Sequence, residues 1–327
     1  MEVHLVAILS VKSSEGTQGI INNLLSNKQA FEFPIYNSLH PALIIDSKSV
    51  DSLNMAEKKY FNRIKQLENQ EAIIIASNFN LSPISEDLSI SKFLTEKKFK
   101  NRIIDLILAV NLAYCGGLNV FEGQLFSNGK TVDSFGLIIN ELQFGKLLAS
   151  NIGWPLLSNL PIGKTFSWFM KFNETLDNVS NSSISRALNA FTYLFHTSLW
   201  WEDDTGDLLK SLVGLEAIYT DDHLDLQNQL DYKSQLILGE RQEFKKVIKK
   251  MYKYRSMYIH GKLNIASQFS IDKEDYFNNY YPDAIEATNT ATSVLVATPH
   301  YFINNDITDI NFLRTYNYEF TTSKNVK

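Results

Sequence analysis

Short aliphatic runs alternate with helically spaced segments through the first half of the chain. Val3–Val11, Ala42–Asp46 and Ala72–Ser77 are rich in Val and Ile and bounded by turn residues, the pattern of buried strands. Between them, Gly19–Leu25 and Asn54–Asn69 carry apolar residues at helical spacing. Ser91–Ala113 predicts a longer amphipathic helix, with Phe93, Phe99, Ile103, Ile107 and Val110 on one face and Cys115-Gly116-Gly117 as its stop. Asn119–Phe126 and Thr131–Ile138 flank Ser127-Asn128-Gly129-Lys130, where Asn-Gly supplies the positive φ angles of a two-residue hairpin turn. Thr165–Phe172 reads as one further strand.

From Ser182 the texture becomes helical. Ser185–Trp200 has Leu188, Phe191, Tyr193, Leu194 and Leu199 as its apolar set, and Asp207–Tyr219 has Leu208, Leu209, Leu212, Val213 and Leu215. Leu224–Leu238 follows, then Arg241–His260, closed by Gly261, and a last helix over Asp283–Ala297 that stops before Pro299. The expected class is therefore α+β, with a mixed α/β domain over 1–178, a four- or five-helix bundle over 179–310 and a C-terminal tail over 311–327.

Composition narrows the function classes. With 44% hydrophobic and 20% charged residues in 327, the chain has ample material for a core without metal or disulfide support. A single cysteine, Cys115, allows neither an internal disulfide nor a cysteine zinc site. The N-terminus lacks the basic leader and apolar core of a secretory signal. The longest apolar stretch, Ile103–Leu118, is broken by Asp105 and Asn111, so a cytoplasmic protein is expected. A net charge of −5 gives no overall attraction to nucleic acid, so any such affinity must come from a local patch.

Several familiar motifs fall away. Gly163-Lys164-Thr165 resembles the end of a phosphate loop, but Ser158 stands where the upstream glycine is required and the turn is read as entering a strand. Asp203-Asp204 and Asp221-Asp222 sit at helix boundaries, where Asp serves as a cap. His4, His40, His196, His223 and His300 have no second His or Cys at ligand spacing. Trp200-Trp201 reads as packing or a subunit contact.

One constellation remains. Phe244–Lys262 holds Lys245, Lys246, Lys249, Lys250, Lys253, Arg255 and Lys262, seven positive charges and no acid. On a helical wheel Phe244, Val247, Ile248, Met251, Arg255 and Tyr258 form one stripe, while Lys245, Lys246, Lys249, Lys253 and His260 gather opposite. A charge run of this kind is in itself an ordinary solvated face. Arg255, however, lies in the apolar stripe, where a guanidinium needs a partner, and Glu216 lies in the seam of its own helix. A buried Glu216–Arg255 pair resolves both, and the carboxylate would orient the guanidinium.

Arg255-Ser256-Met257-Tyr258-Ile259-His260 is an Arg-x4-His motif followed by Gly261, and an earlier helix reads Leu212-Val213-Gly214-Leu215-Glu216-Ala217-Ile218-Tyr219. The pair resembles the HEPN superfamily, in particular its Apea-like branch, over roughly Ser182 to Asn304. The resemblance implies a metal-independent endoribonuclease without cofactor, acting as a toxin or antiviral (phage-defence) effector on RNA. His260 would supply one of the two proton transfers as the 2′-hydroxyl attacks phosphorus and the 5′-oxygen leaves. Arg255, oriented by Glu216, would stabilise the charge that builds on phosphorus. Lys245, Lys246, Lys249, Lys253 and Lys262 would hold flanking phosphates, and Ser256 and Tyr258 would either position the phosphate or pack.

On an ideal helix Arg255 and His260 stand about 140° apart. They meet only where the helix end unwinds or a second subunit supplies one of them. The resemblance implies the latter, a homodimer through the bundle with the motifs facing one cleft, and a sensing role for residues 1–178 toward a ligand or protein trigger. The competing class is a non-catalytic bundle binding a nucleotide, RNA or a protein, with Glu216–Arg255 as a structural pair and His260 complementing the helix dipole.

Overall fold

Strand β1 (Glu2–Lys12) shows why its apolar run is nearly unbroken: both of its faces are buried. Val3, Leu5, Ala7, Leu9 and Val11 enter one large core, while Val6 and Ile8 enter a smaller cluster with Tyr60, Phe61 and Ile64. The computed structural model describes residues 2–26, 44–45, 49–80, 88–139, 141–172, 182–195, 204–221, 224–240, 245–263 and 282–312. Among these, ten α-helices and an antiparallel sheet give a mixed α+β architecture.

The sheet comprises β1, β2 (Ile44–Ile45), β3 (Gln70–Asn80), β4 (Val120–Ser127) and β5 (Lys130–Leu137), in the order β2-β3-β1-β4-β5. Val6 stands opposite Ala76 on one side and Phe126 on the other. The β4–β5 turn is the expected one, with Asn128 at φ 46° and Gly129 at φ 78°. Helix α1 (Glu15–Ser26) packs on the large-core face. Helix α2 (Met55–Lys65) covers the other face and starts on a capping box, in which Asn54 accepts from the Glu57 amide and Glu57 returns to the Asn54 amide. Helix α3 (Leu88–Tyr114) buries Phe99, Ile103, Ile107 and Val110 as expected, whereas Phe93, nearer its start, is exposed.

Two expectations are corrected. The segment read as a strand over Thr165–Phe172 is helix α5 (Ile162–Met170), following α4 (Glu141–Ile152). Its β-branched and aromatic content suggests a strand, but Ile162, Thr165, Phe166 and Phe169 are buried at helical spacing. The phosphate-loop reading thus loses one of its two objections, yet Ser158 still occupies the glycine position and Lys164 turns to the Asn304 carbonyl at 3.2 Å.

The last helix also does not stop before Pro299. It runs from Pro282 to Asn304 with the proline inside. Proline within a helix costs about 3 kcal/mol. Continuing the helix buries Phe302 and Ile303 completely, at about 1.5–3 kcal/mol each, which offsets that cost.

The C-terminal helices are α6 (Ser183–Thr192), α7 (Asp204–Tyr219), α8 (Leu226–Leu238), α9 (Lys245–Ile259) and α10 (Pro282–Asn304). Tyr193 and Val213, expected in the core, are exposed at the edges of α6 and α7. Helix α10 is rich in Ala, Ser and Thr and nearly wholly buried, its hydroxyls bonding back to carbonyls one turn earlier. It lies against α7, α8 and α9 and also against α4. A Cβ on Gly145 of α4 would stand 2.8 Å from the Asn289 carbonyl oxygen, so the absence of a side chain sets that approach. One continuous apolar core therefore extends from Val3 to Ile303. Residue 178, the expected domain boundary, lies outside the described residues, as do Phe244, Trp200, Trp201, His40, His196, His223, Asp203 and Asp222.

Candidate functional site

Helix α9 owes its placement to Ile248, Met251 and Tyr254, which are buried against α7, α8 and α10. This stripe is rotated slightly from the one expected: Tyr254 is its inner member, and Arg255 and Tyr258 lie half-buried at its border. Lys250 fixes the helix from the side by pairing with Asp283 at 2.9 Å and Glu286 at 2.8 Å on α10. Hydrogen bonds to Glu286 and then Asp283 raise the Lys250 pKa.

The remaining basic groups face outward. Lys246, Lys249, Lys253 and Lys262 are exposed, as are Ser256 and His260, and Lys245 is the first residue of the helix. The Lys253 ammonium lies 5.2 Å from the centre of the Tyr254 ring. Lys246, Lys249 and Lys253 line one side of the helix as a positive strip, with no ion pair among the described residues.

Arg255 and Glu216 come together across α9 and α7, with Nη2 3.6 Å from Oε2. That is an ion pair but longer than a hydrogen bond. The guanidinium side chain is 33% exposed and the carboxylate side chain 18%, so the pair is partly buried rather than deep in the core. Glu216 Oε1 is buried without a hydrogen-bond partner among the described residues. Tyr252 lies beside the pair, its ring centre 5.8 Å from the Arg255 guanidinium carbon. Burial, and after it the charge of Glu216, push the Tyr252 phenol well above its ordinary range. The wheel places Tyr252 off the apolar stripe, so only the Tyr-x-x-Arg spacing on one helix face could have drawn attention to it.

His260 sits at the cap of α9. Its amide still bonds the Ser256 carbonyl at 3.1 Å, so the helix does not unwind ahead of it. Gly261, at φ 62°, then reverses the chain: the Gly261 amide bonds the Tyr258 carbonyl and the Lys262 amide bonds the Met257 carbonyl, a Schellman closure. The imidazole is held out at the helix end. Within one chain, Arg255 and His260 keep the angular separation of a wound helix.

Elsewhere, Asp221 does not cap α8. It pairs with the buried Lys233 at 2.5 Å, and Asp225 precedes the helix without a side-chain cap. Cys115 is buried and its thiol is pushed up to about 11 by burial, which suits packing rather than nucleophilic chemistry. No helix among the described residues is long and apolar enough to cross a membrane. Comparison with protein-family models, curated proteins and solved structures gives no match.

Proposed function

We propose that the chain is a metal-independent endoribonuclease whose helical half is a HEPN-like bundle of the Apea-like kind, acting as a homodimer. The observation that carries this reading is the exposed His260 at the end of a helix that also presents three outward lysines, with Lys262 just beyond it, and a half-exposed Arg255 held by Glu216. The lysines and His260 share one side of α9 and Arg255 lies on the other, so flanking phosphates would meet the lysines of one copy while the guanidinium of the other copy reached the scissile phosphate. His260 would exchange a proton with the 2′-hydroxyl or the leaving 5′-oxygen. Because α9 remains wound, the arginine and the imidazole serving one phosphate would come from two copies of the chain. By analogy with the resembled family, the sheet-containing half would sense a trigger and the whole would serve as a toxin or phage-defence effector.

The test is cleavage of RNA by the purified protein in EDTA. His260→Ala is expected to lower the rate by at least about 100-fold, the usual contribution of a positioned acid or base, with its melting transition unchanged. Equal inactivity of wild type and His260→Ala on total RNA transfers the assignment to the second reading. One observation favours that reading: Arg255 already has a carboxylate partner, as in a structural pair. The protein would then be a regulatory module that binds a nucleotide, RNA or a protein without cutting.

A further inference from the structure

Tyr252 stands one turn before Arg255, and the reading above gives it no task. Its hydroxyl is buried and has no hydrogen-bond partner among the described residues, and the same is true of Glu216 Oε1. One is a donor and the other an acceptor, and each belongs to a residue beside the Arg255 guanidinium. Arg255 borders both: its Nη2 is 3.6 Å from Glu216 Oε2, and its guanidinium carbon is 5.8 Å from the Tyr252 ring centre.

We propose that Tyr252 is a positioning residue for Arg255, its hydroxyl turning to donate to Glu216 Oε1 so that Oε2 stays turned to the guanidinium. This rests on the assignment of Arg255 to an RNA phosphate. The hydroxyl is shut off from solvent, so it would not touch a bound phosphate itself. Its effect passes through the carboxylate. A carboxylate bound at one oxygen loses its rotation, and a guanidinium held between that carboxylate and an aromatic ring is aimed before the substrate arrives.

Tyr252→Phe keeps the ring and removes only the hydroxyl. Cleavage is expected to fall about tenfold in kcat with KM little changed, since aim rather than attraction is lost. Tyr252→Phe combined with Glu216→Gln is expected to be no slower than Glu216→Gln alone. Losses that multiply in the double variant mean that the hydroxyl does not act through the carboxylate, and they overturn the proposal, as does a Tyr252→Phe protein equal to wild type.

A wild type that cuts no RNA defeats the nuclease reading but leaves this one testable. The same cycle is then read in affinity for a 2′-O-methyl oligonucleotide, with the same non-multiplying pattern expected. A third measurement leaves the hydroxyl in place. The fluorine resonance of 3-fluorotyrosine at position 252 is expected to move on Glu216→Gln, and an unmoved resonance overturns the contact.

Discussion

His300 carries a pH dependence that belongs to the single residue. Its Nε2 lies 2.7 Å from the Leu112 carbonyl, its Nδ1 is buried without a partner among the described residues, and burial lowers its pKa to about 4. The imidazole is therefore neutral in the folded chain, with Nε2–H donating to Leu112. The unfolded chain, with an ordinary pKa near 6.5, takes up a proton first as pH falls. Stability from this group is complete above pH 6.5 and is lost as pH drops from there toward 4. Between pH 7 and pH 5 the loss from this residue is about 2 kcal/mol, to be read as the difference between urea unfolding of wild type and of His300→Gln at the two pH values. An identical pH dependence in the two proteins would count against the buried neutral imidazole.

At the scale of elements, close helix approaches carry the expectations. Gly214 of α7 would place a Cβ 2.8 Å from Leu295 Cδ1 and 3.0 Å from Ala190 Cβ, at the meeting of α6, α7 and α10. Gly214→Val is expected to cost about 1–3 kcal/mol by overpacking, seen as a lowered melting temperature. Gly261→Ala meets no atom within 4 Å but must adopt φ 62°, so its cost of about 1 kcal/mol is backbone strain alone.

These elements also show what the sequence made legible. The Asn-Gly hairpin, the continuous β1 run and the Arg255–Glu216 partnership follow from local rules: turn chemistry, burial on both faces and the cost of an unpaired charge. The Ile162–Met170 helix and the passage of α10 through Pro299 do not. In both, tertiary burial of Phe and Ile side chains overrides local preference, and no single-segment pattern reports a burial partner. Tyr252 was hidden for a related reason, since its significance depends on Glu216 arriving from another helix.

The wound end of α9 makes a prediction about the assembled molecule. If each active site takes Arg255 from one copy and His260 from another, mixing inactive Arg255→Ala with inactive His260→Ala is expected to restore about a quarter of wild-type RNA cleavage, because half the dimers are mixed and each carries one intact site. No recovery on mixing would place both groups in one chain and require α9 to unwind. Oligonucleotide affinity is expected to fall with salt at a slope of about −3, from four exposed lysines at about 0.7 each, and each Lys→Ala is expected to flatten it by about that unit.

The contact at Gly145 has a consequence for any attempt to divide the protein. Asn289, Thr292 and Ser293 of α10 are covered by α4, so a fragment starting at residue 179 would lay bare a helix flank whose polar backbone and small side chains have no solvent-facing role in the intact chain. Such a fragment should elute as aggregate on a sizing column. One that ran as a clean monomer would show that the helical half can be released from the sheet-containing half by proteolysis.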